Sequence, residues 1–315
     1  MKQKKTKYAV RNWKEYNRSL VNRGSLTFWI SEDLLSNWIV KEKTGERGAS
    51  PRYSGAAIEA MAMVKFVFHQ AGRQSCGLVA SIFSLMKVDL PVPDHSTVSR
   101  RMAGIVVRLP LKAGTQARHI VCDSTGVKVY GEGEWKVRTH GISKRRTWRK
   151  LHLQIDEATH EIVVAGASEN SVSDDEMFVE MLPENEEEIE QISADGAFDR
   201  KKVYQAIKDR NIKRAAIPPR KGAKIWQHGN SKETRLIRDE NLRCIRKKGR
   251  PKWKLESHYH RRSLSETAMF RFKQIFTDKL QSRKQENQFQ EMIIKCAALN
   301  RMTHLGMPDS YLVSI

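Results

Sequence analysis

Tyr259, Arg262, Glu266 and Lys273 stand in the run SHYHRRSLSETAMFRFKQIF near the C-terminus. Read as one α-helix, at 100° per residue, the four positions fall within about 60° of arc. One face then carries a phenol, two cations and a carboxylate, groups suited to a metal ion and a phosphodiester. The other face reads Leu264, Ala268, Phe272 and Ile275, an apolar stripe fit to anchor the helix on a core. A surface helix with a solvated charged face would show the same pattern. The quartet therefore gains meaning only if other acids are brought to it.

Two such acids close apolar runs. Residues 118–123 (RHIVCD) read as a strand ending in Asp123, with GVKVY continuing it beyond Ser124 and Thr125. Residues 150–156 alternate, a polar DEATH turn follows, and residues 162–168 return as a partner, giving an antiparallel meander. Then come a helix over 174–182, an acidic run over 184–190, and a strand over 191–194 leading into Asp195. A helix over 199–210 and a strand over 214–217 follow, stopped by Pro218 and Pro219. Three antiparallel strands followed by alternating helix and strand is the order of an RNase H-like α/β core, a mixed sheet with flanking helices. If the first and fourth strands are neighbours, both Asp carboxylates project at one end of the sheet and Glu266 can close the site. Three hard oxygen donors suit Mg²⁺ or Mn²⁺. Two ions held about 4 Å apart would activate a water or a 3′-hydroxyl and stabilise the leaving oxygen of an in-line displacement. The reaction class is phosphodiester cleavage and transfer. Taken singly, any one of these three acids reads as a cap, a turn residue or a solvated charge, and acids such as Asp156, Asp174 and Asp199 match as cheaply, so the arrangement and not any one acid carries the reading.

Composition agrees with a polyanionic partner. Lys and Arg number 57 against 36 Asp and Glu, a net charge of +21. No segment approaches the roughly 18 apolar residues of a membrane span, and Lys2, Lys4, Lys5 and Lys7 lead into no signal-peptide core. The expectation is a cytoplasmic protein with no membrane partner. Cys76, Cys122, Cys244 and Cys296 form no CxxC pair, so neither a zinc site nor a disulfide framework is indicated.

The chain reads as four segments. Residues 1–53 are a basic, aromatic stretch ending in a Gly/Ser/Pro-rich linker. Residues 54–112 read as a helical module: a helix over 55–70 capped by Ser54 and ended by Gly72, a second over 76–86, and a third over 94–107 capped by Asp94 or Ser96. The third opens with Ser96, Thr97, Arg100 and Arg101, groove-reading and phosphate-contacting types. The unit looks like a helix-turn-helix, although a plain three-helix packing unit would read alike. Residues 113–280 hold the catalytic core with a basic loop over 220–262, where 15 Lys or Arg face four acids. Residues 281–315 read as a C-terminal helical extension. Between the first two core strands, Trp135, Arg145, Arg146 and Trp148 interleave indoles with cations, a pattern that can stack on unpaired bases or merely pack.

The stretch CDSTGVKVYGEGEWK, the segment ISADGAFD, and the spacing Tyr259-x2-Arg262-x3-Glu266-x6-Lys273 resemble the DDE transposases of bacterial insertion sequences that carry the YREK signature. The resemblance runs from about Trp13 to the end of the C-terminal helix. It implies that Asp123, Asp195 and Glu266 are the catalytic and metal-binding triad, and that Tyr259, Arg262 and Lys273 hold phosphates of the transposon end. Only 70 residues separate Asp195 from Glu266, so the large β insertion of some relatives is expected to be absent. The expected partners are double-stranded DNA, both terminal inverted repeats and target, and further copies of the chain on paired ends, in a bacterial, nucleoid-associated setting. A metal-dependent nuclease without strand transfer, and a DNA-binding regulator that has lost catalysis, stay open as alternatives.

Overall fold

The RHIVCDSTGVK stretch is one unbroken strand. In the computed structural model it runs through the polar Ser124 and Thr125, because antiparallel pairing with the next strand continues as far as Lys128. The structure describes residues 7–41, 45, 48, 50–112, 118–129, 148–186, 188–227 and 235–313. Two units divide the chain: Leu111–Cys296, and Met1–Pro110 together with Ala297–Ile315. Residues 281–315, read from sequence as one extension, are thus shared between them.

The first unit contains a two-stranded antiparallel sheet of β1 (Lys7–Val10) and β7 (Ser310–Val313). Three short helices follow β1: α1 (Trp13–Asn22), α2 (Leu26–Trp29) and α3 (Glu32–Ser36). Trp29 and Trp38, scattered among cations in the sequence, are buried. Trp38 packs edge-on to Phe83 at 5.1 Å and donates from Nε1 to the Pro91 carbonyl at 2.8 Å, so its polar tip is satisfied inside the unit. Helix α4 (Gly55–Val67) is capped by Ser54, whose hydroxyl accepts from Ala57 N at 3.0 Å. It ends earlier than expected: His69 takes a left-handed backbone (φ 53°) and turns the chain, and Gly72 opens α5 (Gly72–Leu85) instead of closing α4. Helix α6 (His95–Arg101) is capped by Asp94, not Ser96, and passes into a 3₁₀ turn over Met102–Gly104 instead of running to 107.

The second unit is a five-stranded mixed sheet in the order β4-β3-β2-β5-β6. Strands β2 (Arg118–Lys128), β3 (Trp148–Asp156) and β4 (Ile162–Glu169) pair antiparallel; β5 (Ile189–Ser193) lies parallel to β2, and β6 (Arg214–Ala216) parallel to β5. Helices α7 (Asp174–Met181) and α8 (Lys201–Asp209) cover one face, burying Ile120, Cys122 and Ile192 against Met177, Phe178 and Val203. The approach of α7 is close enough that a Cβ on Gly166 would stand 2.6 Å from the Met181 sulfur. Helices α9 (Ile237–Lys248), α10 (Arg250–Glu256) and α11 (Ser263–Phe276) follow β6, and α12 (Gln285–Leu305) ends the helical series. A mixed sheet flanked by helices is the RNase H-like arrangement that the element order implied.

Candidate active site

Register places the two aspartates. Val121 of β2 pairs with Ser193 of the parallel β5, and Asp123 and Asp195 each lie two residues further on. Side chains repeat every second residue and neighbouring strands are about 4.8 Å apart, so alternation sets the two carboxylates on one face of the sheet, Asp123 midway along β2 and Asp195 just beyond the C-terminal end of β5. That is where open α/β sheets bind ligands. Asp195 caps the turn that follows β5, accepting from Ala197 N at 2.8 Å.

The quartet meets these acids by a route different from the expected one. Tyr259 and Arg262 are not on the α-helix. They belong to a 3₁₀ turn, Tyr259–Arg262, entered through a left-handed His258 (φ 53°), and α11 begins only at Ser263. The buried face of α11 is Ser265, Ala268, Met269, Phe272 and Phe276, while Leu264 and Ile275 are only partly covered. The helix is therefore turned by about 60° from the expected stripe. The turn seats a hydroxyl, Ser265, against Asp123 and brings Glu266 and Lys273 to the rim.

Asp123 is the hub. Its Oδ1 accepts from Ser124 N at 2.9 Å; its Oδ2 accepts from Ser265 Oγ at 2.9 Å and from Arg262 Nη1 at 3.1 Å. The other arm of the Arg262 fork, Nη2, donates to Glu266 Oε1. Lys273 Nζ donates to Thr125 Oγ1 at 2.7 Å, two residues along β2 from Asp123. Burial pushes the Asp123 carboxyl above its ordinary range, Ser124, Ser265 and Arg262 pull it back in part, and Asp195 adds to the rise. Burial likewise raises the Tyr259 phenol, with Arg262 opposing and Asp195 reinforcing, so both residues stand in one electrostatic neighbourhood. The Tyr259 ring packs on Trp253 at 5.9 Å.

Among the described residues, no three His, Cys, Asp or Glu side chains converge closely enough to hold a metal as they stand. Arg262 instead bridges Asp123 and Glu266. The chemistry fits a hard divalent cation nonetheless: the donors are carboxylate oxygens, and a positive charge already neutralises two of them.

The chain matches a family described as Transposase DDE domain over residues 114–301, more than half its length, and a second family of the same description over residues 21–132. Fold and matches together define a metal-dependent, DNA-cutting enzyme with an RNase H-like core. The chain belongs to the DDE transposases. That family works on DNA and generally uses divalent metal ions, and no described helix is long and apolar enough to cross a membrane.

Ser96, Thr97, Arg100 and Arg101 are on α6 of the first unit. Arg100 is exposed and reaches Ser96 Oγ at 3.4 Å, whereas Arg101 is spent on the Tyr53 carbonyl and is not free to reach outward. Trp135, Arg145 and Arg146 lie outside the described residues. Trp148 pairs with Lys128 across β2 and β3, with the Lys128 ammonium 5.7 Å from its ring centre.

Ser265 and Thr125 were missed from sequence. Thr125 shares the Asp123 side of β2 by simple alternation, a signal that was available; Ser265 depended on the rotation of α11. A buried ion cluster was missed as well. Arg238 Nε donates to Asp199 at 2.7 Å and Nη1 to Asp239 at 3.2 Å, while the guanidinium lies 3.6 Å from the Trp226 ring centre. Asp199 accepts from Arg220 N at 3.2 Å, Asp239 accepts from Gln227 N at 2.8 Å, and Arg238 donates to the Lys224 carbonyl at 2.9 Å. These bonds pin residues 218–227 beside Gly196, where an added Cβ would stand 3.3 Å from the Pro218 carbonyl oxygen.

Proposed function

We propose that this chain is the transposase of an insertion sequence of the YREK type, binding the element's terminal inverted repeats, cutting at its ends and joining the 3′-hydroxyls to target DNA. The observation that supports the reading is the register that sets Asp123 and Asp195 on one face of neighbouring parallel strands, together with Arg262 bonding both Asp123 and Glu266. Asp123, Asp195 and Glu266 would hold two Mg²⁺ or Mn²⁺ ions in this reading. The bound metal supplies Lewis-acid polarisation of the phosphoryl group and an activated oxygen nucleophile. Ser265 and Ser124 fix the Asp123 carboxylate by hydrogen bonds to its two oxygens. Lys273 sits at Thr125 as a point charge for a phosphate, and Arg262 offers a planar fork matched to phosphate geometry. Tyr259 lines the same neighbourhood.

End recognition falls to α6, whose exposed Arg100 and partly exposed Ser96 and Thr97 supply DNA-contacting groups in the manner of a helix-turn-helix. Arg220, Lys221 and Lys224, on the segment pinned beside Asp195, supply backbone contacts. Pairing of two ends by more than one copy of the chain completes the reading. The test is an assay with end-containing DNA and a target plasmid in Mg²⁺. Joined products are expected. Nicked or cut ends without joining would assign the nuclease alternative, and binding without cutting the regulator.

A further inference from the structure

We infer that Arg262 is the resident counter-ion of the acid cluster in the DNA-free protein, and that a DNA phosphate must draw it away before Asp123 and Glu266 are released to a divalent cation. Cation and DNA end then bind cooperatively, through one side chain that each needs moved or occupied. The inference rests on the reading of Asp123, Asp195 and Glu266 as cation ligands and adds the order in which they become available.

The geometry is specific to Arg262. Its two terminal nitrogens are divided between two acids, Nη1 on Asp123 Oδ2 at 3.1 Å and Nη2 on Glu266 Oε1, so one planar fork spans the carboxylates that a cation would have to bring together. A guanidinium does not lose its proton in a protein, so its charge is not relieved by deprotonation and the group must leave bodily. It is placed to do so. The side chain keeps 22% of its surface exposed, and it springs from a 3₁₀ turn behind a left-handed residue instead of from the body of α11. A phosphate offers the fork a matched bidentate acceptor, which carboxylates on two separate elements do not.

The neighbouring groups stay in place when the fork swings out. Ser265 Oγ remains on Asp123 Oδ2 and Ser124 N on Oδ1, so the carboxylate keeps its aim. Lys273, the other cation of the quartet, donates to the neutral Thr125 hydroxyl and to neither acid, and so contributes field without competing for the ligand atoms. By reciprocity, any factor by which DNA raises cation affinity is the factor by which the cation raises DNA affinity.

The deciding experiment measures Mn²⁺ binding to the full chain without DNA, following free Mn²⁺ by electron paramagnetic resonance. Arg262→Gln is expected to bind Mn²⁺ about tenfold more tightly than the parent chain, the scale of one lost charge-assisted hydrogen-bond pair. Lys273→Gln, which removes the same charge without vacating a ligand, is expected to stay within about twofold. Asp123→Asn is expected to lose saturable binding. Arg262→Ala replaces the Gln variant should that one not fold. Equal affinity for Arg262→Gln and the parent, or an equal gain in Lys273→Gln, overturns the inference while Asp123→Asn still supports the cation site. Unchanged binding in Asp123→Asn overturns the assignment of the acids themselves, and the two failures are thereby distinguished.

Discussion

Replacing Arg238 by Met keeps most of the side-chain volume and removes the charge. Arg238 is buried with a side-chain exposure of 3%, and its partners Asp199 and Asp239 are at 2% and 0%. Removing one partner of a buried ion cluster costs about 3–5 kcal/mol, because the remaining charges stay desolvated. The 3.6 Å stack on Trp226 adds about 1–2 kcal/mol to the loss. The backbone N–H groups of Arg220, Trp226 and Gln227, which still donate to the two aspartates, offset part of it. The net expectation is about 4 kcal/mol, near 10 °C in Tm for a unit of this size. Urea unfolding of the variant and parent, at equal m-value, reads the difference. The triple variant Asp199→Asn, Arg238→Met, Asp239→Asn should recover much of it by discharging the stranded carboxylates. A loss under about 1 kcal/mol for Arg238→Met alone would refute the view that this cluster holds residues 218–227 in place.

Phe272 is fully buried and packs on Phe276 at 5.5 Å, so Phe272→Ala should cost about 3–5 kcal/mol, whereas Lys273→Ala should leave Tm nearly unchanged and slow cleavage; melting and single-turnover rates measured together check the contrast. Burial depresses the His152 imidazole from 6.5 to about 4, and only in part does Asp174 oppose it. The unfolded chain therefore takes up a proton near pH 6.5 that the folded one refuses until about pH 4. Stability present above pH 6.5 should fall by up to about 3 kcal/mol as pH drops through that window, and His152→Gln should flatten the slope in a pH series of urea titrations. Lys221→Ala with Lys224→Ala should lower the slope of log K against log salt for duplex DNA by about two, with little change in Tm. Arg100→Ala should weaken end binding. It is tested in the full chain, because the unit that carries α6 is completed by residues 297–315.

The core sheet was legible because its signals are local. Alternation over 150–156, the DEATH turn and the paired prolines after 217 each mark an element without reference to the rest of the chain. What escaped depends on contacts far apart in sequence. β7 is four residues, SYLV, and is a strand only because β1 lies 300 residues earlier in the chain to pair with it. Periodicity places Tyr259 and Arg262 on the helix of Glu266, but the left-handed backbone at His258 starts a 3₁₀ turn there; His enters that region more readily than most residues, yet too rarely for its presence alone to mark a turn. The rotation of α11 buries Ser265 against Asp123, a polar contact that an apolar count treats as solvent-facing. Asp199 reads in the sequence as one acid among many; its pairing is hidden there because its partner, Arg238, lies 39 residues on.

The central claim is that Asp123, Asp195 and Glu266 act together in metal-dependent DNA cleavage, and that binding of the end does not require Glu266. The direct measurement is Mg²⁺-dependent cleavage of end-containing DNA by Glu266→Ala, with end binding by the same preparation recorded in parallel. The account predicts that cleavage is abolished while binding is retained. Cleavage at the parent rate by Glu266→Ala would contradict it.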